Sequence, residues 1–140
     1  MSDQTVREPI TGEGYAVASL DGLGEGWGFR KIRKDLAVAE FGVNAIVFPP
    51  RYDGGAHFHT DQEELYFVHA GEIEIVLHET DVHRLGAGGM ARVDAATVRR
   101  VRNVSTQDAV VVIVGAKGGY VGRDGAEPEG DVPPGGPISD

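Results

Sequence analysis

Apolar residues in this chain come in short runs of Val, Ile, Phe and Tyr that alternate with polar ones and stop at Gly, Pro or Asp. A period of two is the pattern of a strand with one buried face, and no window sustains the 3.6-residue period of an amphipathic helix. The runs fall at 28–33, 38–48, 56–59, 64–69, 72–78, 82–85, 90–93, 98–102 and 109–115. So many short strands at such spacing suggest an all-β fold, an antiparallel barrel or jelly roll. The 21 glycines then serve tight turns that want positive φ, and Ala70-Gly71 is a hairpin-like turn between two runs.

At 140 residues the chain fits one domain with a core that needs no staples. Its body is expected at 15–122. Residues 1–14 and the Gly/Pro-rich acidic stretch 123–140 read as tails, too poor in apolar groups to pack and expected to be mobile or draped over the surface. With no cysteine, disulfides, thiolate metal sites and cysteine nucleophiles are excluded. The polar start resembles no targeting peptide, and no apolar run nears the roughly 20 residues that cross a bilayer. A cytoplasmic protein is expected. Thirteen basic residues stand against 22 acidic ones, a net charge of −9, which argues against nucleic acid and membrane partners. The one basic run, Arg30-Lys31-Ile32-Arg33-Lys34, reads as the solvated face of a strand.

The five histidines lie between residues 57 and 83. Two of them, in His57-Phe58-His59, share one face of a strand, so both imidazoles project together. Each neutral ring offers a lone pair, which is a metal-ligand arrangement, although two solvated side chains would read the same way. Five residues on, Glu64 opens the next run, and a hairpin return brings its carboxylate back towards the pair. Two His and one carboxylate form the facial triad of non-haem iron sites and also serve catalytic zinc.

The stretch from His57 through Glu64 to Gly71 resembles the first motif of the cupin superfamily: His-x-His, three or four residues, Glu, six residues, Gly. Only Glu64 lies seven positions before Gly71, so it is the matching carboxylate and Glu63 faces solvent. The motif's leading glycine falls at Arg51, with Gly54 and Gly55 as substitutes for the turn. In the second motif, anchored on Gly88 and Asn103, Asp94 stands at the proline, Ala96 at the glycine and Arg99 at the fourth ligand, a histidine. The likeness covers 28–115 and is nearest to small bacterial single-domain cupins. It implies a double-stranded β-helix holding one divalent transition metal (iron, manganese, nickel or zinc) through His57, His59 and Glu64. It also implies a homodimer, paired near Trp27 and Phe29.

Arg99 cannot ligate a cation, having no lone pair at ordinary pH. Parity puts it on the face opposite Arg100 and Arg102. It either points inward to hold an anionic group or decorates the surface. His69 falls on the wrong face of its strand for a ligand, and His78 and His83 flank the acidic loop 79–81. Tyr66, two residues from Glu64, shares its inward face and is a candidate proton relay or barrel filler. Phe41, Ile46, Phe48, Val68, Ile73 and Ile75 are read as core or cavity lining. The leading expectation is a metal-dependent cupin acting on a small acidic molecule, a carboxylate among the candidates, by dioxygenase-like or isomerase/lyase chemistry. A non-catalytic metal or small-molecule binding module, and a metal-free epimerase or cyclase, stay open beside it.

Overall fold

Every stretch expected to be a strand contains one. The computed structural model describes residues 5–129 and 135–139. Along them run β1 (Ile10–Gly12), β2 (Tyr15–Val17), a 3-10 turn (Leu20–Gly22), β3 (Gly28–Arg30), α1 (Ile32–Asp35), β4 (Gly42–Phe48) and β5 (Tyr52–His59). After these come β6 (Glu63–Ala70), β7 (Glu72–Leu77), β8 (Asp81–Gly86), β9 (Met90–Val93), β10 (Arg99–Asn103), β11 (Ala109–Ala116), β12 (Gly125–Ala126) and β13 (Gly136–Pro137). No helix among the described residues is long and apolar enough to cross a membrane.

The strands form two antiparallel sheets, ordered β3-β4-β11-β6-β9 and β12-β5-β10-β7-β8, with β13 also on β5 and β1-β2 a separate ribbon. Period-two patterning decides which face meets the core: on β6, Glu64, Tyr66 and Val68 are buried while Glu63, Leu65, Phe67 and His69 are exposed. Phe48, Tyr66, Val68 and Val111 from one sheet pack with Ile73, Ile75 and Val101 from the other. Burying each such side chain contributes about 1.5–3 kcal/mol. Gly71 makes the β6–β7 hairpin possible: its φ is +77°, and a Cβ there would meet the Asp108 carbonyl oxygen at 2.4 Å.

Several local expectations are corrected. The basic run is no strand face. β3 ends where Arg30 turns inward and donates to the carbonyls of Gly26 (2.7 Å) and Phe29 (3.4 Å). Lys and Arg favour helix, and one turn of it follows, α1, closed by Ala37 N–H to Lys34 O and Val38 N–H to Arg33 O. Ala37 takes φ +55° at the position where glycine is usual. Phe41 precedes β4 and is 42% exposed rather than core. Arg51, not the glycine pair, adopts the left-handed turn, with φ +54°. Gly54 and Gly55 instead lie within β5, at a bulge opposite Arg100 and Val101, where Gly55 has φ +84°.

Parts of both tail segments are paired in strands. Residues 10–12 pair with 15–17. Gly125 pairs with His59 and Ala126 with Phe58, while Gly136 and Pro137 pair with Asp53 and Tyr52. The part of the C-terminal stretch at 130–134 lies outside the described residues.

Candidate metal centre

His57 and His59 project from β5 to the same side, with ring centroids 5.2 Å apart and planes near perpendicular. Glu64, on β6 of the other sheet, meets them: its Oε1 lies 3.1 Å from His59 Nε2 and 3.8 Å from His57 Nε2. One ligand atom from each residue falls within 4.8 Å of the others. The three residues that the sequence pattern singled out are thus brought together from two strands and two sheets. His69, His78 and His83 are exposed. Glu63 is exposed too, paired with Arg92.

Tyr66 is fully buried, and its hydroxyl donates to Glu64 Oε1 at 2.7 Å and stands 3.4 Å from His57 Nε2. Burial and the neighbouring Glu64 carboxylate push its pKa well above the phenol's ordinary value. Tyr66 therefore keeps its proton. Burial also pushes the Glu64 carboxyl upward, but contacts from His57 and Tyr66 and the charges of His59 and Arg99 outweigh it, so the group sits below its usual range. His59 is lowered, chiefly by burial, against the pull of Glu64. The site thus favours a neutral imidazole and an ionised carboxylate, the forms that ligate metal.

Arg99 pairs in register with His57 and faces inward, at 0% exposure. Its guanidinium meets backbone rather than open cavity. Nη1 donates to Ala95 O (3.0 Å) and Thr97 O (2.9 Å), and Nη2 to Asp94 O (3.3 Å). Nη2 also lies 3.6 Å from Glu64 Oε1. Ala95 O accepts the backbone N–H of His59 as well, at 2.8 Å. Arg99 therefore braces both the loop behind His59 and the carboxylate of Glu64, and it lines neither cavity described below.

Two supporting residues escaped the sequence reading. Gln62 is buried with its amide 2.9 Å from His59 Nδ1; no spacing rule marks it. Asp124 belongs to a stretch whose composition reads as tail, so nothing local marked it either. Its carboxylate accepts the backbone N–H groups of Gln62 (2.8 Å) and Asp61 (2.9 Å), and stands 3.7 Å from His59 Nδ1. The N–H of Gln62 is the largest cause holding Asp124 below the ordinary carboxylate range. The Gln62 amide nitrogen can only donate, so as placed it gives its N–H to His59 Nδ1, and Asp124 at 3.7 Å acts on that side through charge rather than a hydrogen bond.

The donor set fits a divalent transition metal. It offers two imidazole nitrogens and a carboxylate oxygen with no sulfur, and His59 Nε2 is buried with no hydrogen-bond partner. His57, His59 and Glu64 line a cavity of about 600 Å³. A second cavity, of about 460 Å³, meets His57 from the other side.

Two facing antiparallel sheets around a pocket of two histidines and a carboxylate define a double-stranded β-helix protein with a candidate metal centre. Residues 45–115 match the family model of the cupin domain, half of the chain, and the protein belongs to the cupin family. No curated protein matches it. Among solved structures, a conserved protein with a double-stranded β-helix domain from Klebsiella pneumoniae is 19% identical, with 81% of this chain and 97% of that one covered and a TM-score of 0.65. A sugar phosphate isomerase of the cupin superfamily from Silicibacter pomeroyi is 18% identical over 79% and 69%, with a TM-score of 0.59. Against a cupin domain from Schizosaccharomyces pombe the identity is 14% and the TM-score 0.52; the match spans 56% of each chain. These likenesses establish the fold.

Proposed function

We propose that this cupin is a metal-dependent enzyme acting on a small acidic organic molecule, with one iron, manganese, nickel or zinc ion held by His57, His59 and Glu64. The observation that carries this reading is the buried, unpartnered His59 Nε2, 3.1 Å from Glu64 at the wall of a roomy cavity. When bound, the ion supplies Lewis-acid or redox chemistry. The chain's own residues do the rest. Glu64 is oriented by Tyr66 and Arg99, His59 by Gln62 and Asp124, and Tyr66 supplies a protonated hydroxyl beside His57. Cupin structures whose names state isomerase, lyase and predicted decarboxylase activities support redox-neutral chemistry as an alternative to a dioxygenase reaction.

Arg99 in the place of a fourth ligand favours a second reading, a binding module without turnover. Protein purified without added metal, then titrated with Fe(II), Mn(II), Ni(II) or Zn(II), separates the readings. The enzyme reading expects about one equivalent of metal, weakened by His57→Ala and by Glu64→Ala. It further expects oxygen uptake or product formation on a panel of small organic acids. Stoichiometric metal with no turnover on any of them supports the binding module. Failure to take up any of the four metals would falsify the metal site, and turnover by that metal-free protein would establish acid–base catalysis by the same three residues.

A further inference from the structure

The metal cavity has a basic rim. Lys31, Arg33 and Lys34 of α1 and its entry line it, together with Arg123. Elsewhere in this acidic chain, several arginines are matched to acids: Arg7 with Asp21, Arg84 with Glu72, Arg92 with Glu63, and Arg100 and Arg102 with Asp53. No acid lies within ion-pair distance of the four rim cations among the described residues, and Arg33 instead lies over the Tyr120 ring at 4.1 Å. That contact ties α1 to the segment after β11. Among the described residues only two carboxylates line the cavity, Glu64 and Asp124, and both have partners within the site.

The second cavity has the opposite character. It is walled by Trp27, Phe48, Tyr52, Tyr66 and Val101, with no lysine, arginine or acid among the described residues. Both cavities share Phe29, Ile46, His57 and Ile113. His57, its side chain 36% exposed, therefore stands where a cationic chamber meets an apolar one.

We infer that the ligand is an amphipathic carboxylate: an acidic group held at the Lys31/Lys34/Arg123 rim, and an apolar body reaching past His57 into the Trp27 chamber. This rests on the reading of the metal cavity as the ligand cavity, and it moves the anion-holding role from Arg99 to the rim. Volumes of roughly 300–1,000 Å³ suit drug-sized ligands, and both chambers lie in that range. A carboxylate between unpaired cations gains charge-assisted hydrogen bonds, and an alkyl or aryl body gains burial.

Trp27 is the single tryptophan of the chain and walls the apolar chamber, so its fluorescence reports occupancy without metal or turnover. Titration of the full chain, metal-free and metal-loaded, with straight-chain carboxylates from butanoate to octanoate should show affinity rising about fourfold per methylene until the chamber is full. Octanamide should bind at least about tenfold more weakly than octanoate, losing the charge-assisted contacts. The Lys31→Ala/Lys34→Ala variant, and separately Arg123→Ala, should weaken octanoate severalfold while leaving octanamide and metal affinity unchanged. A flat chain-length series, equal binding of acid and amide, or rim variants without effect would overturn the inference. A protein that binds octanoate in this pattern yet takes up no metal would keep the ligand class and remove the metal reading. Metal uptake with a flat series would do the reverse.

Discussion

His57 and His59 stand two residues apart on one strand with their rings 5.2 Å apart, and their surroundings differ sharply. The His59 side chain is 9% exposed and is held by Gln62 on one nitrogen, with Asp124 behind it and Glu64 before it. That of His57 is 36% exposed, faces two cavities, and has the Tyr66 hydroxyl as a distant neighbour at 3.4 Å. The inner half of the site is built to hold a ligand atom in one orientation. The outer half is built to be reached. One strand supplies both because alternation fixes the side to which its residues point, while the loops and the other sheet decide what each one meets.

The largest effect should come from the inner half. His59→Ala and Glu64→Ala are expected to weaken metal binding by more than the roughly 100-fold that outer partners command, and His57→Ala by less. Competition with a chelator of known affinity measures this; equal losses at His57 and His59 would erase the distinction between the halves. Next comes Arg99→Met, which removes the guanidinium donor from the Asp94, Ala95 and Thr97 carbonyls, of which Asp94 and Ala95 keep a backbone N–H, and leaves Glu64 without its cation. A loss of about 3 kcal/mol is expected from urea unfolding of the metal-free protein. A change under about 1 kcal/mol would show that Arg99 does not brace the inner half. Asp124→Asn should weaken metal binding about tenfold while the barrel's unfolding midpoint stays close to that of the parent.

The smallest effect is the pH response of the metal-free protein. His59 titrates below its ordinary 6.5, so as pH falls under 6.5 the unfolded chain takes a proton that the folded one refuses. Stability attributable to neutral His59 is present above 6.5 and declines as pH drops through the folded value. Glu64 is also lowered, from 4.5, so its contribution is present above that value and is lost as pH falls through its folded one. Unfolding midpoints between pH 7.5 and 4, compared with those of His59→Gln, should show the first decline in the parent only. A direct titration of the His59 ring by NMR that placed it above 6.5 would contradict the burial argument.

The strands and the nearness of the three candidate residues were legible because both obey short-range rules. His57, His59 and Glu64 follow from strand parity plus one hairpin return, and the buried face of β6 from alternation. α1 was not legible: Arg30-Lys31-Ile32-Arg33-Lys34 alternates like a strand, and only the inward turn of Arg30 and the left-handed Ala37 divert it into helix. Parity set Arg99 apart from Arg100 and Arg102 but left its direction open, and its partners were not legible, since its donors go to carbonyls of a loop that has no pattern of its own. Gln62 and Asp124 were invisible for a related reason. Each matters through a contact set by the whole fold, and Asp124 lies in a segment whose composition argues against any packing.

Asp124 binds the Asp61 and Gln62 backbone across 63 and 62 residues of chain, and β12 beside it adds two residues to the edge of β5. Contacts of such sequence separation form late, and a two-residue strand is among the first things to detach. The backing of His59 is therefore expected to open more readily than the barrel, and faster hydrogen exchange at the Asp61 and Gln62 amides than in the core strands would show it. The candidate triad rests on the two sheets themselves, whereas the backing of His59 rests on a two-residue strand at their edge.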